Sequence, residues 1–255
     1  MIDALYISAS GLRSEQKQID VISNNVANMQ TPGFKRSRVN FVEVAGGATP
    51  ATESQPAWEA HGNGTRIAST SMSFAPGEIR MTSNPLDLAI DGDGFFELAG
   101  ADGNMVYTRA GQFHVDTEGN LVSVRGLPLA HGIQIPAGAS GLQISPTGEL
   151  TAVLAGDTER SSIGTIELTS FSAPDALTAI GDNGFAANDA TGAPSYGKAG
   201  DAGFGKLQQG ALELANVEMI DEMSALVMAQ RAYQLNARVL QASDQVLETI
   251  NNLRR

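Results

Sequence analysis

The stretch 226–253, LVMAQRAYQLNARVLQASDQVLETINNL, places a large side chain at every seventh position: Leu226, Tyr233, Leu240 and Leu247, with Ala232, Val239, Val246 and Leu253 in a row beside them. The opening of the chain has the same period, in Leu5, Leu12, Ile19 and Val26. A seven-residue apolar repeat keeps one narrow seam toward a partner helix. These eight residues are therefore the candidate self-assembly seam. The two ends are expected to be helices, over about 3–28 and 216–253, that pair as a coiled coil or meet copies of themselves.

The middle of the chain is of another kind. It holds most of the 28 glycines, with short apolar runs between them, a pattern of tight turns and strands. β-prone runs cover Leu88 to Leu98, Met105 to Arg109, Gln112 to Val115 and Leu121 to Val124, and Leu142 to Ser145 and Glu149 to Leu154 bracket Pro146-Thr147-Gly148. After Phe171, eight glycines from Gly181 to Gly210 predict a long loop region with one strand. The expected class is α+β: terminal helices around a central, mainly-β domain of hairpins. The expected division is a helical polymerisation domain over 1–33 and 210–255, an extended linker or subunit-contact segment over 34–69, and a mainly-β outer domain over 70–209. Within the linker, the small-residue stretch 42–66 has no strand or helix period and contains the sole tryptophan, Trp58; it reads as a disordered linker or, through Trp58, as a contact that orders on binding.

Charge follows the same division. Residues 42–209 carry seven Lys/Arg against nineteen Asp/Glu, which accounts for the whole net charge of −12, while the two ends cancel. An acidic middle disfavours nucleic acid and anionic lipid, because affinity for phosphate rests on clustered Lys and Arg. No stretch approaches the roughly 18–20 apolar residues that span a bilayer, so no membrane insertion is expected. The first basic residue is Arg13, and the run before it is broken by Asp3, Ser8 and Ser10, which does not fit a secretory signal. Cysteine is absent, which excludes disulfides and thiolate metal sites.

Candidate chemistry is sparse. Asp91-Gly92-Asp93-Gly94 has glycine at the fourth position and Phe95 at the fifth, where a calcium loop needs an oxygen ligand at the fifth position and glycine at the sixth, so it reads as a tight hairpin turn. His61, His114 and His131 lie far apart without metal-ligand spacing. Neither a nucleophile elbow nor a phosphate loop is found, and the carboxylates are scattered through turns. The expectation is a structural protein with no catalytic, cofactor or metal site. At the end of the first helix, Asn24, Asn25 and Asn28 read either as helix-end chemistry or as a packed polar contact surface. Pro32-Gly33, between Thr31 and Phe34, reads as a type II turn that redirects the chain.

Ser10-Gly11-Leu12 with Ile22-Ser23-Asn24-Asn25-Val26-Ala27-Asn28 and Thr31-Pro32-Gly33-Phe34-Lys35 resembles the signature of the bacterial flagellar rod and hook family. Asn84-Pro85-Leu86-Asp87-Leu88-Ala89-Ile90-Asp91-Gly92-Asp93-Gly94-Phe95-Phe96 followed by Tyr107-Thr108-Arg109-Ala110-Gly111 is similar to its centre. Gln209-Gly210-Ala211-Leu212-Glu213, Asn216-Val217, Gln230-Arg231-Ala232-Tyr233 and Ser243-Asp244-Gln245 are similar to its end. The resemblance implies a subunit exported unfolded through the flagellar type III apparatus without a cleaved signal. It implies polymerisation into a hollow helical rod across the periplasm, in contact with other rod proteins, the hook protein and surrounding ring proteins. It further implies terminal helices lining the tube and a β-domain outside them, in the distal part of the rod, with the proximal part as the alternative. From other classes, a soluble coiled-coil adaptor or adhesin would also carry associating ends, and a cell-wall hydrolase would need a carboxylate pair in a cleft.

Overall fold

A computed structural model describes residues 2–44, 62–100, 103–154 and 159–253 of the chain. Two helices and a mainly-β middle make it an α+β protein, divided into two compact units. Trp58 and His61, with the rest of 45–61 in the stretch expected as linker, lie outside the described residues.

The first unit takes Met1–Ala27, Ser37–Met72 and Glu218–Arg255. Its first helix, α1, runs Ile2–Ala27 with Asp3 in its first turn, where a carboxylate meets the positive end of the helix dipole. Strand β1, Ser37–Glu43, pairs antiparallel with β2, Thr65–Met72, from Ser37 opposite Met72 to Glu43 opposite Thr65, with a bulge between Asn40 and Phe41. The closing helix, α2, runs Met219–Leu253 and carries Asp221 and Glu222 in its first turn. Asn25 meets Glu222 near the start of α2, and Gly11 meets Asn236 farther along it, so the helices pack antiparallel. A Cβ on Gly11 would lie 2.7 Å from Asn236 Nδ2, so the Asn236 side chain packs over the α1 backbone at Gly11.

The second unit takes Asn28–Arg36 and Ser73–Val217. Its core gathers Leu88, Ile90, Phe96, Leu98, Leu121, Leu150, Ile166 and Leu168. Leu88, Ala89 and Ile90 are all buried, so their strand, Leu88–Asp91, has core on both faces. Such a strand shows no alternation in sequence, since neither face meets water. The hairpins Phe113–Val115 with Leu121–Ser123 and Ser140–Ile144 with Glu149–Val153 form where the turn residues place them.

Two expectations are corrected here. Asp91–Gly94 is not a hairpin turn. The strand before it, Leu88–Asp91, pairs with Lys206–Gln209, and the strand after it, Phe96–Ala99, pairs with Met105–Thr108. The segment is a corner between two sheets, with Gly92 at φ +119° and Gly94 at φ +130°, conformations that only glycine adopts readily. The region after Phe171 is not a long loop either. It contains the strands Thr178–Gly181, Gly184–Ala186, Ser195–Lys198, Lys206–Gln209 and Ala211–Glu213. Its glycines sit mostly in the turns, and all of these strands but Thr178–Gly181, which pairs with its neighbour Gly184–Ala186, are held by a distant partner, as Ala211–Glu213 is by Ile79–Met81. Composition weakens the local signal in such a region, and long-range pairing overrides it.

Candidate assembly site

In the first unit, Asn25 sits at the centre of a polar hub. Its side chain is buried, and its Nδ2 donates to Ser37 O at 2.9 Å and to Glu222 Oε2 at 3.2 Å, while Ser37 N donates to its Oδ1 at 3.0 Å. One amide thus ties α1 to β1 and to α2, and asparagine suits the place because it presents donors and an acceptor together. Asn24 is exposed and Asn28 is half-buried.

The stripe by which α1 meets α2 contains small and polar residues. Gly11 and Asn25 on α1 and Glu222 and Ala229 on α2 are buried along it, and Ser8, Ser14, Val21 and Ile22 of α1 are buried as well. The seam residues Leu5, Leu12, Ile19 and Val26, with Leu226, Leu240 and Leu247, are half-buried, and Tyr233 is exposed. The side chain of Leu253 lies outside the described residues. Apolar side chains remain open to solvent on both helices: Tyr6 on α1 is 72 % exposed, and Ile220 and Met228 on α2 are 80 % and 72 % exposed.

The second unit brings together three segments that are far apart in sequence. Phe34 N donates to Thr31 O at 3.2 Å around Pro32-Gly33, with Gly33 at φ +72°, the geometry of the expected type II turn. Thr31 Oγ1 hydrogen-bonds Asn28 Oδ1 at 3.3 Å, Asn183 Nδ2 donates to Pro32 O at 3.0 Å, and Gly33 N donates to Glu213 O at 2.8 Å. A Cβ on Gly33 would come within 2.4 Å of Ala110 N. The turn is therefore clamped between the segments around Ala110 and Glu213.

Beside it lies a buried charge cluster. Lys35 Nζ donates to Glu213 Oε1 at 2.6 Å and to Ala75 O at 2.9 Å, and Gly77 N donates to the same carboxylate oxygen at 2.9 Å. Arg109 Nε stands 3.6 Å from Glu213 Oε2, its Nη2 donates to Gly92 O at 2.7 Å, and its guanidinium lies 5.5 Å from the Phe95 ring centre. Burial pushes the Lys35 ammonium below the usual lysine range against the pull of Glu213, and Arg109 is pushed down by burial against Glu213 and Asp93. Asn216 completes the frame by accepting from Arg36 N at 2.7 Å and donating to Ser73 O at 2.8 Å. Lys35, Arg109 and Glu213 each fall within a quoted signature segment, yet nothing in their spacing marks them as one cluster.

Among the described residues no group of carboxylates, histidines or cysteines is arranged to hold a metal ion. The geometry supports a mechanical part: a helix pair with uncovered apolar surface and a separate β-unit whose turns are locked by buried charges.

Comparison with known proteins agrees on what kind of part it is. Residues 5–35 match the family described as "Flagella basal body rod protein". Residues 89–152 match "Flagellar hook protein FlgE/F/G D1 domain", and residues 208–253 match "Flagellar basal body rod FlgEFG protein C-terminal". The chain is 36 % identical to the "Flagellar basal-body rod protein FlgG" of Borreliella burgdorferi over 100 % of both chains. It is also 36 % identical to the protein so named in Caulobacter vibrioides, over 99 % of this chain and 100 % of that one, and 36 % identical to that of Bacillus subtilis over 100 % of both. The chain belongs to the flagellar basal-body rod family, as a structural rod subunit similar to the FlgG proteins.

Proposed function

We propose that copies of this chain polymerise through their terminal helices into the distal part of the rod, a hollow helical drive shaft that crosses the periplasm and passes motor torque to the hook. The observation that carries this reading is the apolar surface left open on the helix pair, with Ile220 80 % and Met228 72 % exposed on α2. Uncovered large apolar side chains in a row mark a surface that partners cover. In this reading α1 and α2 pair as a coiled coil, and the seam of Leu5, Leu12, Ile19, Val26, Leu226, Tyr233, Leu240 and Leu247 is completed by neighbouring copies.

Each copy would use two different patches, one toward each neighbour, which gives an open helical polymer where one self-complementary patch would give a closed dimer. Many such contacts in parallel make the shaft stiff. The chain would leave the cell unfolded through the type III export apparatus without a cleaved signal, and meet other rod proteins, the hook protein and the surrounding rings. Its role is structural and not enzymatic. Helices that bury little large apolar surface between themselves gain stability when neighbours cover them, so folding of the ends would be coupled to assembly.

The test is the purified full-length chain studied over a range of concentration by sedimentation, electron microscopy and far-ultraviolet circular dichroism. Polymers that form with a gain in helicity support the reading. A chain that stays monomeric with fully formed helices at every concentration overturns it.

A further inference from the structure

We propose that a second heptad row on α2, formed by Met228, Leu235, Val239 and Val246 and extended by Ile250, packs on the Leu5, Leu12, Ile19 and Val26 row of α1 in a second copy, with the two helices antiparallel. The proposal rests on the self-assembly reading above and names the surfaces that meet.

Within one copy, α2 meets α1 along a different stripe, marked by Glu222, Ala229 and Asn236. Met228, Ala232, Leu235, Val239, Ala242 and Val246 follow one another at alternating steps of four and three residues, the spacing of a helix seam. This row stays open: Leu235 is 60 % exposed, and Val239, Val246 and Ile250 are each close to half exposed. A contiguous strip of that kind reaches the few hundred Å², roughly, at which surface patches on soluble chains carry interactions. Ala232 and Ala242 leave room between the larger residues for side chains of a facing helix to insert.

The α1 row is its match in length and period. From Leu5 to Val26 the row is about 32 Å long, and from Met228 to Ile250 about 33 Å, at the α-helical rise of about 1.5 Å per residue. The α1 row is only half-buried within its own copy, where Gly11 and Asn25 make the contacts to α2. Pairing the α2 row with the α2 row of another copy would use one patch twice and close as a dimer. A rod subunit needs two unlike patches, and the α1 row is the second. In a polar filament every copy points the same way. Because α1 and α2 are antiparallel within a copy, α2 of one copy is antiparallel to α1 of the next.

The absence of cysteine makes the test clean, since any bridge must come from introduced residues. Antiparallel rows matched end to end set Leu12 of one copy opposite the turn Val239 to Val246 of the next, so full-length single-cysteine chains carrying Leu12→Cys, Val239→Cys, Ala242→Cys or Val246→Cys are assembled, alone or with the Leu12→Cys chain mixed in turn with each of the others, then oxidised and run on non-reducing gels. A mixture of Leu12→Cys with at least one α2 variant should give about tenfold more covalent dimer than either variant alone, because a bridge forms only where Cα atoms approach within roughly 7 Å. Polymers that cross-link in an α2 variant alone, or that yield no dimer in any mixture, overturn the proposed pairing and leave the self-assembly reading standing. Absence of polymers in electron micrographs of every sample overturns both.

Discussion

Lys35 Nζ and Glu213 Oε1 lie 2.6 Å apart with both side chains shut off from water, although 178 positions separate them in the chain. Arg109 approaches the other carboxylate oxygen at 3.6 Å, so one carboxylate serves two cations. Removing it leaves both charges buried and uncompensated. Glu213→Ala should lower the stability of the β-unit by about 3–5 kcal/mol, read from urea unfolding of the full chain. Lys35 already has its ionisation pushed below the usual range, so above that folded value the native state holds fewer protons than the unfolded chain, and stability rises with pH. Without Glu213, burial acts unopposed, and the rise should begin at lower pH than in the parent chain.

Gly33 is locked by both conformation and space. With φ at +72° and a Cβ position 2.4 Å from Ala110 N, Gly33→Ala combines left-handed backbone strain of about 1–3 kcal/mol with overlap against main chain. Gly103 has φ +76° but no atom within 4 Å of its Cβ position, so Gly103→Ala carries the strain alone. Thermal melting should show a clearly larger drop for Gly33→Ala than for Gly103→Ala. Equal drops would mean that the clamp around Ala110 yields.

Asn25 is held by three hydrogen bonds, two to Ser37 and one to Glu222. Asn25→Ala should reduce stability of the helical unit by about 3 kcal/mol, at roughly 1 kcal/mol for each bond lost. Asn25→Asp sets a carboxylate against Glu222, and repulsion raises the pKa of the pair in the folded state. Stability gained by protonation is then present at low pH and lost as pH rises through that raised value. The variant should approach the parent chain near pH 4 and fall below it at pH 7, as followed by helical circular dichroism of the assembled protein.

Leu12→Asp and Leu240→Asp place a charge in the seam without a partner. A penalty of about 3 kcal/mol for burying it corresponds to more than a hundredfold rise in the concentration needed to polymerise. Sedimentation should show monomer, while limited proteolysis should release the β-unit as intact as from the parent chain. Polymers at parental concentrations would remove these two positions from the seam.

Asp116 holds the turn of the Phe113–Val115 and Leu121–Ser123 hairpin, accepting from Glu118 N and Asn120 N at 2.8 Å each. The backbone hydrogen bond from Asn120, ahead of the other donors, holds its carboxyl below the usual range. Its stabilising effect is therefore present above the ordinary carboxylate pKa and lost as pH falls through the folded value. Asp116→Ala should be less stable than the parent at neutral pH and converge with it in strong acid, as measured by thermal melting against pH.

Legibility in the sequence followed the range of the interaction. The hairpins around Thr117–Asn120 and Pro146–Gly148, and the turn at Pro32-Gly33, are read from neighbouring residues because each is decided within a few positions. Asp91–Gly94 misleads for the same reason: its glycines permit a sharp bend, but only the partners Lys206–Gln209 and Met105–Thr108 decide that the bend joins two sheets. Most of the glycine-rich strands after Phe171 are held from outside their own segment, so their composition does not announce them.

By itself the sequence determined the α+β class, the helical ends with their seven-residue rows, and membership of the rod family, because periodicity and signature segments are properties of the linear chain. Tertiary structure alone decided which stripe of each helix is covered, since Gly11, Asn25, Ala229 and Glu222 fill the contact while larger side chains stay open. It also decided that Lys35, Arg109 and Glu213 share one buried site. The physical reason is that helical period limits which residues share a face, whereas close approach of backbones and the pairing of buried charges depend on segments that meet only when the chain has folded.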